Sequence, residues 1–347
     1  MKIRKKIKNC LVIIFLFLAS FSLASYATEL IGAGATFPYP LYAKMFDEYN
    51  KIFDVAINYQ AIGSGGGIRE LQNKTVDFGA TDAFLTNEEL KGQKILHIPT
   101  ALGAVVLIYN LPGITKLRLT PEIISSIYLG EIKNWQDPKI AKENGHLTLP
   151  NLPIFVTHRS DGSGTSFIFT DYLSQVNGTW AKKVGKGKSV EWPVGLGGKG
   201  NAGVSALVQQ VPGTIGYAEL IYAKQNKLSY AVIKNKAGFF ARPDEKGVLA
   251  ALKGIKIPND LRLSLVNSDA KYGYPLSGLT WLIVYQEQNY LNHSFTKAKE
   301  LKILLNWMLT EGQSYCKELD YVPLSKELQT KALKLLSTLT YNKKEVR

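Results

Sequence analysis

Apolar positions recur along the chain in two rhythms. In DVAINYQAI, Val55, Ile57, Tyr59 and Ala61 fall at period two, the pattern of a strand. Just before it, PYPLYAKMFDEYNKI carries Leu41, Tyr42, Met45, Tyr49 and Ile52 at helical spacing, with Pro38 and Pro40 near its start. After it, GGIRELQN predicts a short helix and VDFGAT a short strand. AVVLIYN and GLTWLIVYQ are near-continuous apolar runs, as in strands buried on both faces. TPEIISSIYLG opens a helix with Thr120 as its cap and Pro121 in the first turn. LPIFVTH predicts a strand and SFIFTDYLSQV a helix. In the tail, Leu301, Leu304, Leu305 and Met308 form one helical stripe, and Leu328, Ala332, Leu335 and Leu339 a second. Both read as core faces. Strands alternating with helices predict an α/β fold with mostly parallel sheets. No internal repeat and no Pro/Gly/Ser-rich linker divides the chain. A split into two domains would have to cross on buried strands.

The first residues change the picture. MKIRKKIKN holds five cations and no acid, CLVIIFLFLASFSLA is an apolar run, and Ser25 and Ala27 are the small residues of a cleavage site. Residues 1–27 therefore read as an export signal cut after Ala27. The run is shorter than the roughly 20 apolar residues of a spanning helix, which argues against an uncleaved anchor. Cys10 precedes the run and is not placed like a lipoprotein cysteine. After cleavage only Cys316 remains, so no intramolecular disulfide is expected. The 42 cations less the five of the leader leave 37 against 28 acids, a net charge of about +9. Such a balance suits nucleic acid, an acidic surface or small anions. Export and the lack of any dense Lys/Arg run after the leader argue against nucleic acid.

Three loops share one chemistry: GAGATFP (Gly32–Pro38), GSGGGI (Gly63–Ile68) and DGSGTS (Asp161–Ser166). Each is rich in small residues, follows or could follow a strand, and opens a candidate helix. Glycine lets the backbone approach a ligand closely. The first N–H groups of a helix lack partners and sit at its positive end, so an anion is favoured there. Ser and Thr hydroxyls add donors. The third loop also carries Arg159. Asp82, just after VDFGAT, is out of place beside an anion unless it accepts a proton that the anion carries. Hydrogen phosphate and dihydrogen phosphate have one; sulfate does not.

Other motifs compete. GLGGKG matches GxGxxG at Gly195, Gly197 and Gly200, but EWPV precedes it in place of an apolar strand. DGSGT resembles a nucleophile elbow around Ser163, yet Asp161 stands where the first Gly belongs, and no motif supplies His97, His146, His158 or His293 as a base. Four scattered His and one mature Cys give no zinc spacing, and no metal or cofactor is expected.

Seven stretches together resemble the periplasmic phosphate-binding protein family of phosphate-specific ABC importers. They are GAGATFPYPLYAK, NYQAIGSGGG, VDFGATDA, IYLGEIKNW, RSDGSGTSFIFTDYL, WPVGLGGKGNAGV and PGTIGYAE. The resemblance implies a two-lobed α/β binding protein, each lobe a mixed, mostly parallel sheet flanked by helices, joined by two crossovers. Lobe I is expected at 28–101 plus 277–347 and lobe II at 102–276. It implies capture of inorganic phosphate without catalysis, and delivery at the inner membrane to a permease of two subunits with ATPase subunits. It also implies a periplasmic monomer. By motif, phosphate would be held by Thr36, Phe37, Ser64, Asp82, Arg159, Ser163, Gly164 and Thr165, with Asp161 pairing with Arg159. GLGGKGN looks structural or peripheral to the ligand. A receptor for another tetrahedral oxyanion and an exported phosphatase are the alternatives.

Overall fold

The computed structural model describes residues 28–291 and 293–347. The leader and its cleavage site lie outside the described residues. The strands in chain order are β1 (Glu29–Gly34), β2 (Ala56–Gln60), β3 (Phe78–Thr81), β4 (Ile95–Tyr109), β5 (Arg118–Leu119), β6 (Phe155–Arg159), β7 (Leu196–Gly198) and β8 (Thr214–Glu219). They continue with β9 (Ser229–Tyr230), β10 (Val232–Lys234), β11 (Phe240–Ala241), β12 (Ser277–Tyr285), β13 (Thr340–Tyr341) and β14 (Lys344–Glu345).

One curled sheet runs in the order β2-β1-β3-β12-β4-β8-β6-β7, with β9 on β4. The outer pairs, β1 with β2 and β3 and β6 with β7 and β8, are parallel, as strand–helix–strand crossovers require. The central pairs β3/β12, β12/β4 and β4/β8 are antiparallel. The chain is thus a two-lobed α/β protein, with one parallel set on each side of a shared centre.

β4 and β12 make that centre. All 15 residues of β4 are buried. Ile95 to Ala104 pair with β12, whereas Val105 to Tyr109 pair with β8. Val105 N–H donates to the Leu276 carbonyl (2.9 Å), so the two chain crossings run side by side. The sequence pattern reveals only the second half of β4. Pro99 cannot donate to a ladder, and His97 and Thr100 interrupt the apolar run. The structure absorbs the irregularity as a register shift opposite Thr280/Trp281. Thr100 Oγ1 there hydrogen-bonds the Tyr42 hydroxyl (2.6 Å), tying β4 to the first helix.

The helix Tyr39–Phe53 buries Leu41, Tyr42, Met45, Phe46 and Tyr49. Ile52, expected inside, is 58% exposed, because the helix has reached its last turn and leaves the sheet. The helices Phe295–Leu309 and Lys326–Leu336 bury the tail stripes as expected, save that Leu336 takes the inward place read for Leu335. No helix of the described residues is long and apolar enough to cross a membrane.

Candidate ligand-binding cleft

Each of the three small-residue loops joins the carboxyl end of a strand to a helix. The first lies between β1 and the helix Tyr39–Phe53. The second leads from β2 into the helix Ser64–Gln72, and the third from β6 into the helix Gly164–Val176. They meet through backbone groups, Gly63 N–H donating to the Gly34 carbonyl of the first loop (2.8 Å). Gly65 N–H donates to the Gly162 carbonyl (2.8 Å), and Gly164 N–H donates to Ser64 Oγ (3.1 Å). Only glycine allows the approach. A Cβ on Gly164 would stand 2.6 Å from Asp82 Oδ2 and from Ser64 Oγ, and Gly63 takes a positive φ of 88° where a Cβ would strike Asp161 Oδ2. Ser163 caps its helix, Oγ accepting from Ser166 N–H (3.0 Å). The third loop is held from behind by Tyr217. Its hydroxyl accepts from Arg159 N–H (3.0 Å) and bonds Ser166 Oγ (2.6 Å), and its ring stacks on Phe169.

Arg159 is 4% exposed and is not a bare charge. Its Nε and Nη2 donate to the two carboxylate oxygens of Asp161 (2.7 and 2.5 Å), and Nη1 donates to Thr165 Oγ1 (3.3 Å). Burial works against ionising Asp161, but the Arg159 fork and Gly200 N–H hold its carboxyl below the usual range. The guanidinium is thereby oriented and half neutralised.

Asp82 sits opposite, 3% exposed, in the turn after β3. Burial lifts its pKa to about 7, against the opposing pull of the Thr280 hydroxyl, the Arg159 charge and the Ser64 hydroxyl. Thr280 Oγ1 donates to Oδ1 (2.8 Å), while Oδ2 lies at the edge of reach of Ser64 Oγ (3.5 Å). Asp82 is thus a carboxyl poised between its two protonation states in a dry, mostly neutral setting.

All eight residues read from sequence gather at these loops, with Asp161 beside them. Phe37 turns its side chain away from the loops. Its ring is fully buried, edge-on to Tyr321, and its carbonyl accepts from the Tyr321 hydroxyl (2.6 Å). Gly65 packs so closely that a Cβ would come within 3.1 Å of Gly162 Cα.

The GLGGKGN stretch, expected to be structural or peripheral to the ligand, leaves Leu196, Gly197 and Lys199 exposed but brings Gly200 and Asn201 to the loops. Gly200 N–H donates to Asp161 Oδ1 (3.0 Å). Asn201, fully buried, donates from Nδ2 to Thr36 Oγ1 (2.9 Å) and Thr165 Oγ1 (3.2 Å). It repeats the strand–glycine–helix pattern of the other three loops, because the helix Gly200–Gln210 follows β7 directly. That shared pattern was the available signal. The three-residue strand LGG, too poor in apolar residues to be read as one, concealed it. Thr280 on β12 and Tyr222, whose hydroxyl donates to the Thr36 carbonyl (2.6 Å), were also missed.

The histidines are engaged elsewhere. His158 lies one residue before the end of β6 and stacks on Trp192 (4.9 Å between centroids). His97 Nε2 accepts from Leu85 N–H (3.0 Å), and burial lowers its pKa to about 4. His293 lies beside Asp77 and His146 in a surface hollow with Arg118 and Arg242. None is bonded to Ser163, so the nucleophile reading finds no base in this geometry. Cys316 is buried, which pushes its thiol up to about 12. Among the described residues no group of three or more His, Cys, Asp and Glu side chains gathers as for a metal ion.

Comparison with known proteins places this geometry. Residues 22–311 match the model of a PBP superfamily domain. The chain is 41% identical to the phosphate-binding protein PstS of Pasteurella multocida, over 92% of this chain and 93% of that one. It is 40% identical to PstS of Haemophilus influenzae, over 86% of this chain and 89% of the relative. A crystal structure of a phosphate-binding protein from Stenotrophomonas maltophilia shares the fold at a TM-score of 0.69 and 20% identity, covering 89% of this chain and 94% of that one. With a superfamily match over most of its length and such identity across nearly the whole of its relatives, the chain belongs to the PstS family of phosphate-binding proteins within the PBP superfamily.

Proposed function

We propose that this chain captures inorganic phosphate between its two lobes and delivers it to an ABC-type import permease. The observation that carries the reading is the meeting of three strand-to-helix loops around Asp82, a buried carboxyl whose pKa is lifted to about 7. Donor-rich loops suit an oxyanion, and a proton acceptor among them suits one that carries a proton. Phosphate does so at neutral pH and sulfate does not. The phosphate-binding relatives support the same ligand.

In this reading the hydroxyls of Thr36, Ser64, Ser163 and Thr165 and the N–H groups of Phe37 and Gly164 replace water around the anion. Arg159 supplies a cation already balanced by Asp161. Asp82 receives the phosphate proton and repels an anion that has none. No covalent step is involved, and the ligand leaves as it entered. Because Gly164 N–H and Ser64 Oγ bond each other in the closed arrangement, the lobes must separate to admit the anion. These donors then turn onto it.

The lobes are residues 28–101 with 277–347, and 102–276. The change of partner along β4 after Ala104, next to Leu276, supports a boundary in that place. The leader supports export to the periplasm with cleavage after Ala27, where the mature protein acts as a monomer. The permease has two membrane subunits with ATPase subunits.

Titration calorimetry of the mature protein with phosphate, arsenate and sulfate tests the reading. Tight phosphate binding, with sulfate orders of magnitude weaker, is expected. Absence of phosphate binding, or equal affinity for sulfate, overturns it.

A further inference from the structure

We infer that Asn201 is a positioning residue that forces two threonine hydroxyls, Thr36 and Thr165, to point their protons at the bound anion. The inference rests on the phosphate reading above and deepens it.

The orientation of the Asn201 amide is fixed by its neighbours. Glu219 N–H lies 3.0 Å from Asn201 Oδ1, and a backbone N–H can only donate. Glu219 is anchored in β8 opposite Val105, so this donor does not move freely. The carbonyl end of the amide is therefore fixed on Glu219, and the NH2 end faces the cleft. Its two hydrogens go one each to Thr36 Oγ1 (2.9 Å) and Thr165 Oγ1 (3.2 Å).

Each threonine oxygen also receives a second hydrogen. Asn201 N–H donates to Thr36 Oγ1 (3.2 Å), and Arg159 Nη1 donates to Thr165 Oγ1 (3.3 Å). A hydroxyl oxygen has two acceptor sites and one proton. With both acceptor sites filled, the proton is the only capacity left, and it must be donated outward. A hydroxyl in solution can turn either face to its neighbour. These two cannot, so an anion meets donors whose direction is already set. At Thr165 that direction is fixed before the lobes close, which removes an ordering cost that the ligand would otherwise bear.

The same amide links the two sides of the cleft. Thr36 follows β1 in the first lobe, and Thr165 and Asn201 belong to the second. Closure thus completes the arrangement at Thr36, both of whose donors come from Asn201 across the cleft, whereas Thr165 is held by Asn201 and Arg159 of its own lobe. An aspartate at 201 would invert the polarity, because its oxygens would accept the threonine protons.

The test is a double-mutant cycle on the full mature protein, read by calorimetry with phosphate. Asn201→Ala is made in the native background and in the Thr36→Val/Thr165→Val background, with circular dichroism to confirm folding. In the native background it should weaken phosphate binding roughly 10- to 100-fold. In the valine background, where there are no hydroxyls to direct, it should change affinity less than about threefold. Equal losses in both backgrounds would mean a merely structural role, and no loss in the native background would remove the role altogether; either result overturns the inference. If Asn201→Ala does not fold, the near-isosteric Asn201→Asp replaces it. Its loss in the native background must then exceed that in the valine background by about tenfold or more. If the double valine protein binds too weakly to measure, Thr165→Val alone serves as the reference. A native protein that does not bind phosphate at all overturns the functional reading itself, which the native arm detects separately.

Discussion

Asp82 and Asp161 lie on two sides of one cleft, both largely out of water, yet their carboxyls shift in opposite directions. Burial pushes each toward its neutral form. Asp161 resists because two guanidinium hydrogens and a backbone N–H reach its oxygens. Asp82 has the Thr280 hydroxyl, a marginal contact to Ser64 and the Arg159 charge, and these do not overcome burial. Depth and nearby donors together thus set the two acids apart. The result is a cation balanced by Asp161 and an acid free to exchange a proton, so a site for an anion needs little net positive charge.

Breaking the charged side should have the largest effect. Arg159→Ala leaves Asp161 buried without its partner, which typically costs about 3–5 kcal/mol. Phosphate affinity should fall by about 100-fold or more, measured by calorimetry, with a lower midpoint in thermal melts. A variant that binds like the native protein would remove Arg159 from the site.

Changing the poised side should alter selectivity more than affinity. Asp82→Asn keeps an acceptor but loses the charge, so phosphate should weaken by roughly tenfold while sulfate binding strengthens. Competition between the two anions reads the ratio directly, and an unchanged ratio sinks the discriminating role.

The same variant sharpens the comparison through pH. The Asp82 pKa in the folded protein, about 7, lies above its ordinary value of 3.8. Its protonated form is favoured by folding, so its contribution is complete below about pH 4 and is lost as pH rises through about 7. Ligand-free native protein should therefore lose stability relative to Asp82→Asn across that window, by a few kcal/mol. Asp161 shifts downward, so its contribution holds above its ordinary pKa and is lost only as pH falls through the lowered value. Denaturant melts of both proteins from pH 4 to 8 should show the difference, and parallel profiles would contradict the burial argument.

The smallest effect is expected at the rim. Lys188 and Glu89 pair across the mouth of the cleft, both partly exposed to water. Such pairs contribute less than about 1 kcal/mol. Lys188→Gln should speed phosphate release by about two- to threefold at low salt and not at all at high salt, measured by stopped flow. A large effect that salt does not screen would show that the rim, and not the floor, holds the lobes together.

Much of this was legible in the sequence because it rests on short-range rules. Thr120 caps its helix as its spacing predicted. The stripes of the tail helices pack inward nearly as read, with Leu336 for Leu335 a slip of one position at a helix end. β4 was half read because Pro99 and Thr100 break its pattern, and only a partner strand can absorb the shift.

Within the site the same division holds. The three glycine-rich loops and Asp82 announce themselves locally, since close backbone approach and unpaired helix N–H groups are properties of a few consecutive residues. Asn201 and Thr280 do not. Asn201 acts on Thr36, 165 positions away, and Thr280 on Asp82, 198 positions away. The sequence by itself determined the alternation of elements, the donor-rich loops and a carboxylate among them. Only the tertiary structure decided which carboxyl is shifted up and which down, which donors reach each hydroxyl and how the loops meet. A hydrogen bond's direction depends on every other donor and acceptor around it, and folding brings those together from distant parts of the chain.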